Sequence, residues 1–202
     1  MNYMKIKKMK ILISNIESSS SEYEIIHSYL KDRSNLFHLR RYDFEEEEVA
    51  EFLSEFSEIE RKQIVLNHHH YLASEFGINR LHFSEQDRKE IDEEKLQRFV
   101  EAGFILSTSV HDLETFNQLP VCFTYAFLSP VFDSISKSDY KAVSFDLSQK
   151  INNIQIIALG GITIDNYNQA IEKGFDGVAF LGSVWNSENP MEQVNLINNH
   201  KK

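Results

Sequence analysis

Short apolar runs alternate with amphipathic ones along the whole chain, and this alternation limits the possible folds more than any other feature. Segments 10–14, 35–41, 63–68, 80–84, 104–110, 121–128, 154–160 and 177–182 read as strands. Segments 22–31, 71–76, 93–102, 112–119, 144–150, 165–173 and 190–198 read as helices, as does a segment opened by the four glutamates at 45–48. Acidic side chains suit a helix N-terminus, where the backbone N–H groups carry partial positive charge. Short, β-branched strands between helices imply a parallel sheet covered on both faces. About eight such units is the number that closes a (β/α)8 barrel, so the expected fold is an α/β TIM barrel, one domain spanning 1–202. A doubly wound open sheet is the alternative. No glycine-rich turn follows the first strand, which favours the barrel.

Charge and composition narrow the partners. Twenty-one Lys and Arg against 31 Asp and Glu give −10, a field that repels polyanions and argues against nucleic acid. No run approaches the roughly 18 apolar residues of a membrane span. Near the start the only apolar stretch is Ile11-Leu12-Ile13, against about 7–15 residues in a secretory signal. The single cysteine, Cys122, has no internal disulfide partner. A cytoplasmic protein, able to pair as a homodimer, is the expectation.

In a (β/α)8 barrel the chemistry sits at the C-terminal ends of the strands, and strands seven and eight often hold a phosphate. Those ends carry His38, Arg40 and Tyr42; Asn67 to His70; His82 and Asp87; Ser109 and His111; the stretch from Ser129 to Lys137; Gly160 and Gly161; and Gly182 with Ser183. Hydroxyls, cations and free helical N–H groups are the parts from which an anion site is built. His68, His69 and His70 invite a metal reading, but consecutive residues do not face one centre on a strand or a helix. His82 and His111 read as hydrogen-bonded structural histidines, and Cys122 as a small core residue beginning a strand.

Two stretches carry a family resemblance. Ile156-Ile-Ala-Leu-Gly-Gly-Ile-Thr-Ile-Asp-Asn166 with Gly174-Phe-Asp-Gly-Val-Ala179 resembles the end of thiamine phosphate synthase. Ser129-Pro-Val-Phe-Asp-Ser-Ile-Ser-Lys137 is similar to that family's Gly-Pro-Val-Phe-x-Thr-x-Thr-Lys loop. Leu39-Arg40, Asn67, Leu81-His82 and Ser109-Val-His111 fall in the family's order. The resemblance implies a transferase of thiamine biosynthesis that joins hydroxymethylpyrimidine diphosphate to a thiazole phosphate with magnesium. It implies Arg40, Ser109 and Lys137 as catalytic residues. His38, Asn67, Ser134, Ser136, Gly161, Leu181 and Gly182 would bind the phosphorylated pyrimidine and thiazole.

Several positions depart from the family. His38 and Tyr42 stand where it has glutamine and lysine, which removes a cation unless Arg41 takes its place. His68 replaces the first magnesium-binding aspartate, the second is Asp87, and Gly182 replaces a serine. Magnesium prefers oxygen ligands, so His68 with Asp87 is a poor pair for it. A non-catalytic paralog that binds a thiamine-related phosphate is the alternative reading. A third, the sister thiazole tautomerases, uses a histidine where Pro130 stands.

Overall fold

The computed structural model describes residues 8–15, 19–133 and 141–200. In chain order these give β1 (Met9–Ile13), α1 (Glu22–Leu30), β2 (Asn35–Leu39), α2 (Glu46–Ser54), α3 (Glu58–Arg61), β3 (Ile64–Leu66), α4 (Leu72–Glu75), β4 (Arg80–Phe83) and α5 (Glu85–Glu90). The second half continues with α6 (Glu93–Glu101), β5 (Ile105–Val110), α7 (Leu113–Asn117), β6 (Phe123–Leu128), β7 (Gln155–Ala158), α8 (Tyr167–Glu172), β8 (Gly177–Phe180), α9 (Gly182–Trp185) and α10 (Pro190–Asn199). Every strand runs parallel to its sequence neighbour, and β8 closes on β1, with Lys10 opposite both Asn35 and Val178. The sheet is a closed eight-stranded barrel, and the open-sheet alternative is excluded.

Segment 144–150, expected as a helix, holds only a 3-10 turn at Leu147–Gln149. There the Asp146 carboxylate accepts from the amide and hydroxyl of Ser148 and stabilises a turn that does not propagate. Three short helices were not expected. Two of them begin with a capping box, Ser57 with Glu60 for α3 and Ser84 with Asp87 for α5, and the third is α9. Cys122 precedes β6 in a turn, half-buried, rather than beginning the strand.

Strand alternation divides the buried residues into two sets. Leu12, Phe37, Leu39, Ile64, Leu66, Leu81, Leu106, Leu128, Ile156 and Phe180 face outward and pack with the helices. Ile11, Ile13, Leu36, Val65, Tyr125, Phe127, Ile157 and Ala179 fill the barrel. The buried inward positions of β1, β7 and β8 are apolar. Those of β2 to β6 add buried His38, Asn67, His82 and Ser107, so the interior is polar on one side only. Bulky branched apolar residues ordinarily dominate such an interior. A polar wedge inside it costs free energy unless each group finds a partner.

Closure also uses an outward lysine. Lys10, 4% exposed, donates through Nζ to the carbonyls of Ile197 and His200. Ile197 lies in the last turn of α10 and His200 caps it, so the contact ties the last helix to the first strand.

Candidate active site

Arg40 follows β2, Asn67 follows β3, Ser109 lies near the end of β5, Gly161 follows β7 and Gly182 opens α9. Because the strands are parallel, all five stand at the C-terminal end of the barrel. Lys137, Ser134 and Ser136 lie outside the described residues.

The polar wedge lies beneath this mouth as two hydrogen-bonded arms. His38 places Nδ1 3.1 Å from Asn67 Oδ1 and Nε2 2.7 Å from the Tyr125 hydroxyl. His82 places Nδ1 2.9 Å from Ser107 Oγ and Nε2 3.0 Å from Ser109 Oγ. The two imidazoles meet edge to face, with ring centroids 5.1 Å apart. Burial holds His38 well below the usual histidine range, with the neighbouring His82 adding to the shift. Burial takes His82 down to about 3 and pushes Tyr125 up to about 12. Both rings are therefore neutral at neutral pH, and the phenol keeps its proton. His38, expected to bind substrate, is 0% exposed and hydrogen-bonded to Asn67 at the mouth.

Above the wedge is an unpaired cation. The Arg40 backbone is fixed by a bond from its N–H to Ser14 Oγ, 2.9 Å. Its guanidinium has neither a carboxylate nor a hydrogen-bond acceptor among the described residues, although burial lowers its pKa. Arg41 does not replace the cation missing at Tyr42. It is 1% exposed, and its Nη2 reaches both carboxylate oxygens of Glu22 at 2.6 Å, in the layer behind the barrel. Alternation along β2 sends Arg40 and Arg41 to opposite sides. Tyr42 is exposed, with its ring 5.5 Å from that of His68.

The residues do not fit a protein-held magnesium ion. Asp87 spends one carboxylate oxygen on the amide (3.1 Å) and hydroxyl (2.6 Å) of Ser84, capping α5. His68 is a nitrogen donor whose two ring nitrogens are buried without a hydrogen-bond partner among the described residues, and burial lowers its pKa to about 4. His69 and His70 point elsewhere, to the carbonyls of Phe44 and His82. Among the described residues no three His, Cys, Asp or Glu side chains gather as a metal site. A cleft of about 530 Å³ opens at the rim beside Asn67, His68 and Asp87. Arg40, Ser109 and Gly161 are not among its walls, so it flanks the mouth.

At strands seven and eight, glycine has a steric cause. Gly160 and Gly161 have φ of +94° and +63°, and a Cβ on Gly161 would lie 2.3 Å from the Asp133 carbonyl oxygen. The loop after β6 lies against them, with Val131 N–H bonded to Leu159 and Phe132 N–H to Gly160. Next to them, at the start of α9, the Ser183 hydroxyl is buried and has no hydrogen-bond partner among the described residues.

Sequence reading alone missed Tyr125 and gave Ser183 no role, while His82 is the hydrogen-bonded histidine it was read as. Tyr125 resembles an ordinary aromatic, and the functional weight of His82 and Ser183 depends on their neighbours. One signal was available. In Leu106-Ser-Thr-Ser-Val110 the apolar residues alternate with Ser107 and Ser109, so one face of the strand is polar.

A family model described as thiamine monophosphate synthase matches residues 11–184. A thiamine-phosphate synthase of Anoxybacillus flavithermus is 34% identical over 98 residues, which are 46% of this chain and 45% of that protein. The chain therefore spans under half the length of this relative. One from Clostridium acetobutylicum is 22% identical over 184 residues, 87% of this chain and 85% of that protein. The crystal structure of thiamine phosphate pyrophosphorylase from Bacteroides thetaiotaomicron superimposes with a TM-score of 0.73 at 23% identity, over 96% of this chain and all of that one. The enzyme of the same name from Pyrococcus furiosus gives 0.71 at 16% identity, over 95% and 93%. These two structures share the fold.

Proposed function

The chain belongs to the thiamine monophosphate synthase family, and from that premise we propose that it joins a hydroxymethylpyrimidine diphosphate to a thiazole phosphate, forming thiamine phosphate. In this reading the bond between the pyrimidine methylene carbon and the diphosphate oxygen breaks, and its electron pair leaves with diphosphate. The thiazole nitrogen then donates its lone pair to the methylene carbon.

Such a reaction needs little proton transfer and much charge stabilisation. The observation that carries the proposal is Arg40, a partly buried guanidinium with no anionic partner among the described residues, one residue past the Leu39–Leu66 pair, as Asn67 is on the neighbouring strand. A cation held this way is suited to a leaving diphosphate. Ser109 stands on β5 toward the pyrimidine. The orphaned Ser183 hydroxyl, with the Gly161 and Leu181-Gly182 backbone, suits the thiazole phosphate. Lys137, Ser134 and Ser136 keep the roles that the family resemblance implies.

No step is routed through magnesium, because the His68 and Asp87 donor set does not fit it. The same poverty of ligands favours a second reading, in which the chain binds the substrates without turning them over. Mass spectrometry of the purified protein incubated with both substrates separates the two. Thiamine phosphate with equimolar diphosphate is expected, and bound but unconverted substrates would replace the synthase reading by the binding one.

A further inference from the structure

The two buried imidazoles use both ring nitrogens, and their bonding has a direction. Asn67 Oδ1 can only accept, so His38 Nδ1 carries the proton. The neutral ring then has a lone pair on Nε2, which accepts from the Tyr125 hydroxyl. Asn67 has spent its carbonyl oxygen inward, and its NH2 group remains for the mouth. In the second arm Ser107 gives its hydroxyl proton to the Leu81 carbonyl at 3.3 Å. With its proton there it accepts from His82 Nδ1–H, and His82 Nε2 takes the Ser109 hydroxyl proton. Ser109 then presents only oxygen lone pairs to the mouth.

We propose that His38 and His82 are positioning residues that set the polarity of the site, turning Asn67 into a donor and Ser109 into an acceptor toward the ligand. The ligand class that fits is an oxyanion or ring-nitrogen acceptor over Asn67 joined to an N–H donor over Ser109, as in an aminated heteroaromatic ring bearing a phosphate ester. This deepens the proposed function and rests on its reading that both residues face the substrate. Burial supports it, since neutral rings keep one fixed tautomer.

Two measurements test it on the full chain. The first needs no ligand: histidine-labelled protein is examined by nitrogen NMR at pH 7. Both His38 and His82 are expected as neutral Nδ1–H tautomers. An Nε2–H tautomer at either ring overturns the inference, whatever the enzyme's activity. The second compares affinity for hydroxymethylpyrimidine diphosphate with that for its analogue carrying hydrogen in place of the amine. The unmodified protein is expected to prefer the amine by about 10- to 100-fold, the range of a well-placed hydrogen bond. His82→Phe is expected to shrink that preference to under threefold, because Ser109 regains its proton, whereas His82→Phe with unchanged preference contradicts the proposal. Failure of both ligands to bind the unmodified protein, with both tautomers as expected, would refute the functional reading and leave the interior polarity standing. If His82→Phe does not fold, the tautomer spectrum decides alone.

Discussion

Replacing Arg40 by methionine should move stability and binding in opposite directions. Methionine keeps the apolar stem and removes the guanidinium, which has no protein acceptor to orphan among the described residues. A desolvated cation without a partner costs free energy in the unliganded protein, so its loss should leave stability unchanged or raise it by up to about 1 kcal/mol. For a chain of this size that corresponds to a rise of about 0–4 °C in Tm. The diphosphate loses a charge-assisted contact worth about 1.5–3 kcal/mol, roughly 10- to 150-fold in affinity. Thermal denaturation and calorimetric titration of pyrimidine diphosphate read the two effects separately. A fall in Tm of several degrees would mean that Arg40 has a structural partner in the free protein. Unchanged affinity would mean that the diphosphate lies elsewhere. Either result refutes the reasoning.

Four further outcomes follow from the same structure. Glu22→Gln strips the buried Arg41 of its counter-charge, and urea unfolding should register a loss of about 3–5 kcal/mol; a loss under 1 kcal/mol would show that the pair is not a buried one in solution. Tyr125→Phe leaves His38 Nε2 a buried acceptor without a donor and should lower stability by about 1–3 kcal/mol, checked by the same unfolding curves. The folded-state pKa values of His38, His68 and His82 lie below the ordinary 6.5, so the unfolded chain takes up protons first. Stability from these rings is complete above about pH 6.5, declines as pH falls below it, and is lost through the folded values near 4 for His68 and 3 for His82. Each adds up to about 1.4 kcal/mol per pH unit to the acid slope, and denaturation midpoints that stay level from pH 7 to 5 would contradict this. Magnesium alone should give no calorimetric binding signal with the unmodified protein, whereas His68→Asp should acquire one through a second carboxylate beside Asp87; binding by the unmodified protein would overturn the fit argument.

The barrel was legible because a parallel sheet buried on both faces forces short apolar strands to alternate with helices. Boundaries moved where side chains, rather than periodicity, decide them. Asp146 holds a turn where apolar spacing suggested a helix, and Ser57 and Ser84 start helices too short to have a period. Arg40, Asn67 and Ser109 could be placed at the mouth by strand order alone. The role of His38 could not. Its position in β2 matches that of a residue at the mouth, and the rings of His82, Tyr125 and Phe127, brought from other strands, bury it. Likewise Arg41 looked like a spare cation until Glu22, 19 residues away, was found facing it.

A crystal structure of the protein soaked with hydroxymethylpyrimidine diphosphate tests the account at its centre. The diphosphate should lie within hydrogen-bonding distance of the Arg40 guanidinium and the Asn67 NH2, with the ring amine toward Ser109 Oγ. Density for the ligand in the rim cleft beside His68 and Asp87, with Arg40 still unpaired, would contradict it.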